Sequence, residues 1–225
     1  MAAFVYPDQR YEITKTNENL QEEFLDYTVE FSGLEENYCI GVVDMVNSTK
    51  IASILHPSKM AAYYGIFLNS MSRLIGQFGG LVIKNIGDCL VYYFPKSSKL
   101  HPKSNCMACL ECCFAMMENH DKICTLLKEK KLPNVHYRIS LDYGKVLLMK
   151  SGYFPVLDMI GPPINMCSKI NRSAEPNGMV IGGDLFLIVK DFEAYQFKEM
   201  PGFSLGFKHS YPIFRVRRSE NSKCV

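Results

Sequence analysis

The stretch "VIKNIGDCLVYYF", residues 82–94, restricts the folding of this chain more than any other. Val82, Ile83 and Ile86 lead into Gly87-Asp88, and Leu90, Val91, Tyr92, Tyr93 and Phe94 lead out of it. β-Branched and aromatic residues favour extended backbone, and a Gly-Asp step between two such runs supplies turn chemistry. The stretch is therefore predicted to be a β-hairpin with Asp88 at its tip. Taken alone, that tip reads as a solvated turn, so the rest of the chain decides whether Lys84 and Asp88 do more.

The flanking segments extend the pattern. "NYCIGVVDMV" is a short β-rich run carrying Asp44, and "HPSKMAAYYGIFLNSMSRLIGQFGG" sets Tyr63, Ile66, Phe67, Met71, Leu74, Ile75 and Phe78 on a helical period before a Gly-Gly stop. After the hairpin, one long helix is predicted from about Lys103 to Lys130, ending near Pro133. "VHYRISLDYGKVLLMK" reads as two strands meeting at Tyr143-Gly144, and Pro162-Pro163 opens a further helix, where proline costs no hydrogen bond. "GMVIGGDLFLIVKDF" gives a strand and a short helix; "YQFKEM" and "SYPIFRV" close as strands. This order predicts an α+β sandwich with helices on one face of a mostly antiparallel sheet. Residues 1–36 read as an N-terminal extension, with Leu20, Phe24 and Tyr27 at helical spacing, followed by a folded domain over 37–217 and a tail over 218–225.

Composition excludes several classes of function. With 225 residues, 48% hydrophobic and 21% charged, the chain suits one soluble domain plus an extension. A net charge of +2, mixed along the chain, offers no basic stripe for nucleic acid. No run approaches the roughly 18 apolar residues that span a bilayer, and "MAAFVYPDQR" lacks a leader pattern, so a cytoplasmic protein without membrane contact is expected. Nine cysteines, an odd number, fit a reducing compartment. "CMACLECC" contains a CxxC, but no second pair lies at ligand spacing, so these thiols are predicted to pack as small apolar groups.

Asp44 and Asp88 both end strand-type runs, and strand ends at a sheet edge can bring carboxylates together. Paired carboxylates beside backbone carbonyls make the all-oxygen setting that Mg²⁺ takes when substrate phosphates complete its shell. Asn47, Ser48 and Thr49 follow as small hydrogen-bonding groups at the start of a phosphate-cradling turn.

"GVVDMVNST", "IKNIGDCLVYYF", "RISLDYGKV", "LDMIGPPINMCSKI" and "GMVIGGDLF" together resemble, in this order, the successive signatures of the class III nucleotide cyclase catalytic domain. The resemblance runs from about residue 37 to 217. It is also similar, more narrowly, to single-domain cyclase-like proteins of ammonia-oxidising archaea. What it implies is a ferredoxin-like βαββαβ core and a homodimer that shares its active sites. It further implies conversion of a nucleoside triphosphate to a 3′,5′-cyclic nucleotide and pyrophosphate, with two Mg²⁺ or Mn²⁺ ions per site. Asp44 and Asp88 fall on the metal-binding aspartates, with the carbonyl of Met45 as a further ligand. Lys84 and Asp158 fall on the base-recognising pair, Asn165 on the residue that orients the ribose, and Lys169 on the position of a transition-state arginine. An ammonium that donates beside a carboxylate that accepts matches the adenine edge, so ATP is the first choice. Cytosine offers the same arrangement on a smaller ring, which puts CTP second and GTP third.

Three departures from the family pattern stand out. Ser48 replaces a common phenylalanine, Lys169 replaces the arginine and cannot form a planar bidentate fork, and Leu205 stands where a triphosphate-binding lysine is usual, with Lys208 near enough to substitute. The alternative they favour is a catalytically weak or inactive cyclase-homology module that binds nucleotide or dimerises for regulation.

Overall fold

The computed structural model describes residues 29–95, 102–151, 154–200 and 211–219. The helical pattern around Leu20, Phe24 and Tyr27, and the positions of Leu205 and Lys208, lie outside the described residues. The sheet is organised around a long first strand, β1 (Val29–Met45), which begins inside the segment read as an extension. Its two edges are taken by β3 (Cys89–Phe94) and β4 (Tyr137–Ser151), both antiparallel. β2 (Leu81–Ile86) pairs with β3 as the predicted hairpin. Gly87 occupies the left-handed region at φ 63, with open space where a Cβ would lie, so backbone conformation rather than crowding calls for glycine there.

Beyond β4 the sheet continues through β6 (Gly178–Gly182), β8 (Ile213–Arg218) and β7 (Tyr195–Glu199). β5 (Phe154–Ile160) pairs with the far end of β4. The β4–β6 pair is parallel and the others are antiparallel.

Two of the elements predicted from the sequence differ in the structure. Tyr143-Gly144 is no turn: β4 runs straight through it, because β1 is long enough to offer Cys39 and Tyr38 as register partners there. The long helix is two, α3 (Pro102–Glu118) and α4 (His120–Glu129), separated at Asn119. The Asn119 amide donates to the carbonyl of Ala115 at 2.8 Å, the local competition with backbone bonding that makes asparagine a poor helix interior residue.

Both faces of the sheet are covered. Cys39, Val43 and Met45 of β1 point into the main core with α2 (Pro57–Gln77), α3, α4 and α6 (Gly183–Val189). Ile40 and Val42 point the other way, into a second cluster with Val91, Val146 and Cys167 of α5 (Pro162–Ile170). Among the described helices α5 takes the face opposite the others, where the sequence pattern predicts helices on one face only; a strand covered on both sides reads as a near-continuous apolar run such as "CIGVV". Cys106, Cys109, Cys112 and Cys113 are fully buried in the main core, packed as small apolar side chains.

Candidate functional site

Asp44 and Lys84 lie on the face of the sheet that α5 covers. Asp44, next to last in β1, stands in register with Cys89 of β3 on one side and Arg138 of β4 on the other. Ile86 pairs with Cys89, so the two-residue turn Gly87-Asp88 closes directly beside the end of β1. The turn thereby sets Asp88 beside Asp44. Burial raises the Asp44 carboxyl pKa above its usual value and the like charge of Asp88 raises it further, while Arg138 and Arg172 pull it down. Two carboxylates this close repel unless a proton or a cation lies between them, which is the donor chemistry a hard divalent ion requires. The Met45 side chain is buried in the main core, leaving its backbone as the part able to serve as a ligand.

After β1 the chain turns at Asn47, whose φ of 59 lies in the left-handed region that asparagine tolerates. Its carbonyl accepts from Ile51 N at 3.1 Å, starting the short helix α1 (Ser48–Ile54). Asn47 and Thr49 are exposed, and Ser48 is half-buried.

Lys84 and Asp158 meet although they lie on different strands. Lys84 Nζ donates to both carboxylate oxygens of Asp158, at 2.8 and 2.6 Å. A β-bulge between Val82 and Lys84 sets Lys84 opposite Val91, and cross-strand partners share a face, so the ammonium emerges on the α5 side. Met159 N donates to Asp158 Oδ1 at 2.7 Å and fixes the carboxylate. The two side chains are 37% and 28% exposed. An ion pair that open to water is worth about 0–1 kcal/mol, so a ligand can part it at little cost.

On α5, Asn165 and Lys169 lie one turn apart on the same exposed face. Both line a cleft of about 570 Å³ together with Glu35, Lys145, Val146, Leu147, Ile160, Gly161, Pro162 and Met166. The helix can start this close to β4 because residue 161 is glycine: a Cβ there would lie 2.5 Å from the Lys145 carbonyl oxygen. Lys145 and Glu35 form an ion pair of 2.5 Å in the lining. None of Asp44, Asp88, Lys84 or Asp158 lines this cleft. The expected residues thus meet in three pairs: Asp44 with Asp88, Lys84 with Asp158, and Asn165 with Lys169.

Sequence reasoning missed several neighbours. Arg138 faces Asp44 through strand register, and its buried Nε has no hydrogen-bond partner among the described residues. Asn171, 3% exposed, begins a 3₁₀ turn (Asn171–Ser173) and bonds to both β1 and β4. Asp142, 1% exposed, accepts from Tyr143 N at 2.9 Å, Leu185 N at 3.4 Å and the Tyr211 hydroxyl at 2.9 and 3.1 Å. Burial raises its carboxyl pKa to about 7 despite those donors. The signal available for Arg138 was its place at the head of "RISLDYGKV"; the other two required the fold.

The chain matches solved structures of the adenylyl cyclase CyaB from P. aeruginosa (17% identity, TM-score 0.75, 85% of this chain and 97% of that one) and the guanylyl cyclase Cya2 (16%, 0.72, 85% and 97%). A third match is the guanylate cyclase domain of RhGC from Catenaria anguillulae in complex with GTP (15%, 0.72, 84% and 100%). At these identities the likeness is one of fold. No curated protein matches the chain. The narrower likeness to archaeal proteins stays an expectation. No described helix is long and apolar enough to cross a membrane. The family model described as the adenylate and guanylate cyclase catalytic domain matches residues 32–210, and the chain belongs to that family.

Proposed function

We propose that the chain is a nucleotide cyclase that converts a nucleoside triphosphate, ATP first, to its 3′,5′-cyclic monophosphate and pyrophosphate at sites shared across a homodimer. The observation that carries this reading is strand register, which closes the turn holding Asp88 beside Asp44 at the end of β1, two carboxylates whose repulsion a bound cation would relieve. Asp44 and Asp88, with the Met45 carbonyl, would hold two divalent cations, Mg²⁺ or Mn²⁺, which when bound lower the pKa of the ribose 3′ hydroxyl and neutralise the departing pyrophosphate.

The remaining roles follow from the chemistry of each side chain. The 3′ hydroxyl gives its proton to solvent water, and its oxygen bonds to the α-phosphorus as the bond to the pyrophosphate oxygen breaks. Lys84 donates to a ring nitrogen of the base and Asp158 accepts from its exocyclic amine, exchanging their mutual ion pair for the adenine edge. Asn165 orients the ribose, and Lys169 on the same helix face offsets charge that develops on the α-phosphoryl oxygens. Asn47, Ser48 and Thr49 turn beside the carboxylates to meet the phosphates, and Arg138 stands there as a further cation. Lys208 is a candidate for the same phosphates.

The separation of the two half-sites supports a shared arrangement. One chain keeps its carboxylates outside the cleft of Asn165 and Lys169, so a two-fold pairing would set the carboxylates of one subunit against the cleft of the other and form two complete sites. The test is to incubate purified protein with Mn²⁺ or Mg²⁺ and each of ATP, CTP and GTP, and to identify products by mass spectrometry. Cyclic AMP as the main product supports the reading in full. A cyclic product from CTP or GTP corrects the base assignment, and nucleotide binding without any cyclic product establishes the regulatory alternative.

A further inference from the structure

α5 ends on a polar residue that it turns toward the sheet. Pro163, Cys167 and Ile170 are its buried residues, and Asn171, still helical at φ −52 and ψ −39, continues that stripe at 3% exposure. Two positions along a helix turn the side chain by about 200°. With Asn171 facing the sheet, Lys169 therefore points away from it, into the cleft that it lines with Asn165. Asn171 Nδ2 donates to the carbonyls of Val42 at 3.3 Å and Arg138 at 3.1 Å, and to Ser140 Oγ at 3.2 Å. Ser140 Oγ donates in turn to the Cys167 carbonyl at 2.9 Å, and Cys167 Sγ donates to the Ile40 carbonyl at 3.3 Å. Lys169 thus lies between Cys167 and Asn171, the two residues whose polar bonds fasten the helix to β1 and β4.

A bland account has Asn171 merely ending the helix. An apolar side chain would fill the same stripe and tolerate small shifts of the helix over the strands, whereas donors aimed at fixed oxygens accept one register. β1 and β4 are held to each other by their own ladder, so these bonds place the helix end rather than the strands. We propose that Asn171 is a positioning residue for the cyclase reaction: it fixes the C-terminal end of α5 on β1 and β4 and thereby holds Lys169 where it meets the α-phosphoryl group. This rests on the cyclase reading above and extends it from the groups that touch the nucleotide to one that sets their place.

A double-mutant cycle tests the assignment, with kcat and KM measured on the purified chain with Mn²⁺ and the nucleoside triphosphate that the native chain cyclises. Asn171→Leu keeps a branched side chain but removes the donors; it should lower kcat about tenfold and leave KM within about twofold. Asn171→Ser, which retains one donor, should fall between it and the native chain. In the Lys169→Ala background Asn171→Leu should lower kcat by less than about twofold, because the group it positions is already gone. If circular dichroism shows Asn171→Leu unfolded, Asn171→Ser carries the same cycle. An equal loss of kcat in both backgrounds, or native kcat in Asn171→Leu, would remove Asn171 from the positioning of Lys169 and leave the cyclase reading intact. A native chain that forms no cyclic product from any nucleoside triphosphate would overturn that reading, and this inference with it.

Discussion

Replacing Asp142 with asparagine should change how the stability of the protein depends on pH. The carboxyl is 1% exposed, and burial raises its pKa from 3.8 to about 7. The unfolded chain therefore releases this proton near pH 4, whereas the folded chain holds it until near neutrality. Between those values unfolding releases a proton, so rising pH favours the unfolded state. Each unit of difference corresponds to about 1.4 kcal/mol, which sets a ceiling of roughly 4 kcal/mol and an expected effect of a few. Asparagine keeps an oxygen that can accept from Tyr143 N and Leu185 N, and the Tyr211 hydroxyl can rotate to meet the new amide. Urea unfolding of both proteins at intervals from about pH 4.5 to 8 isolates this group from Asp44 and the other titrating residues. The stability of native protein relative to Asp142→Asn should fall steadily as pH rises across that window, then level off. Parallel curves would show that the polar cage around Asp142, rather than desolvation, governs its titration.

Base choice should follow the Lys84–Asp158 pair: Lys84→Glu turns a donor into an acceptor and should cost ATP use more than GTP use, by roughly 1–3 kcal/mol of transition-state binding. An unchanged ratio of kcat/KM for ATP and GTP would show that Lys84 does not read the base. If Lys169 offsets charge in the transition state, Lys169→Arg should maintain or raise kcat, and Lys169→Ala should lower kcat with little change in nucleotide affinity. Equal rates for all three would leave Lys169 as a surface charge.

What the sequence reveals of this protein depends on how local the causes are. Asp88 at a hairpin tip is legible because Gly87-Asp88 sits between two β-rich runs, and α2 is legible because Tyr63, Phe67, Met71 and Ile75 recur on one helical face. Tyr143-Gly144 misleads because the strand is decided by partners on β1, roughly a hundred positions away, rather than by the turn preference of the dipeptide. The division of the long helix at Asn119 depends on one side-chain bond within a helical period that otherwise continues. In the candidate site, Asp44, Lys84, Asp158, Asn165 and Lys169 stand out through motif order, which only a family resemblance supplies. Arg138 and Asn171 do not, because their places arise from strand register and from a turn folded back onto two strands. The α5 face departs from the expectation of helices on one face of the sheet: β1 is apolar on both sides, and α5 covers the side opposite the other core helices.

In the proposed homodimer each active site takes Asp44 and Asp88 from one subunit and Asn165 and Lys169 from the other. Co-expression of Asp88→Ala with Asn165→Ala, each nearly inactive alone, tests it most directly. In a mixed dimer the two defects fall together in one site and leave the other sound. Random assembly makes half of the dimers mixed, so activity should return to about a quarter of native per chain. A co-expressed pair verified as heterodimer by mass spectrometry, yet no more active than either parent, would contradict the shared site.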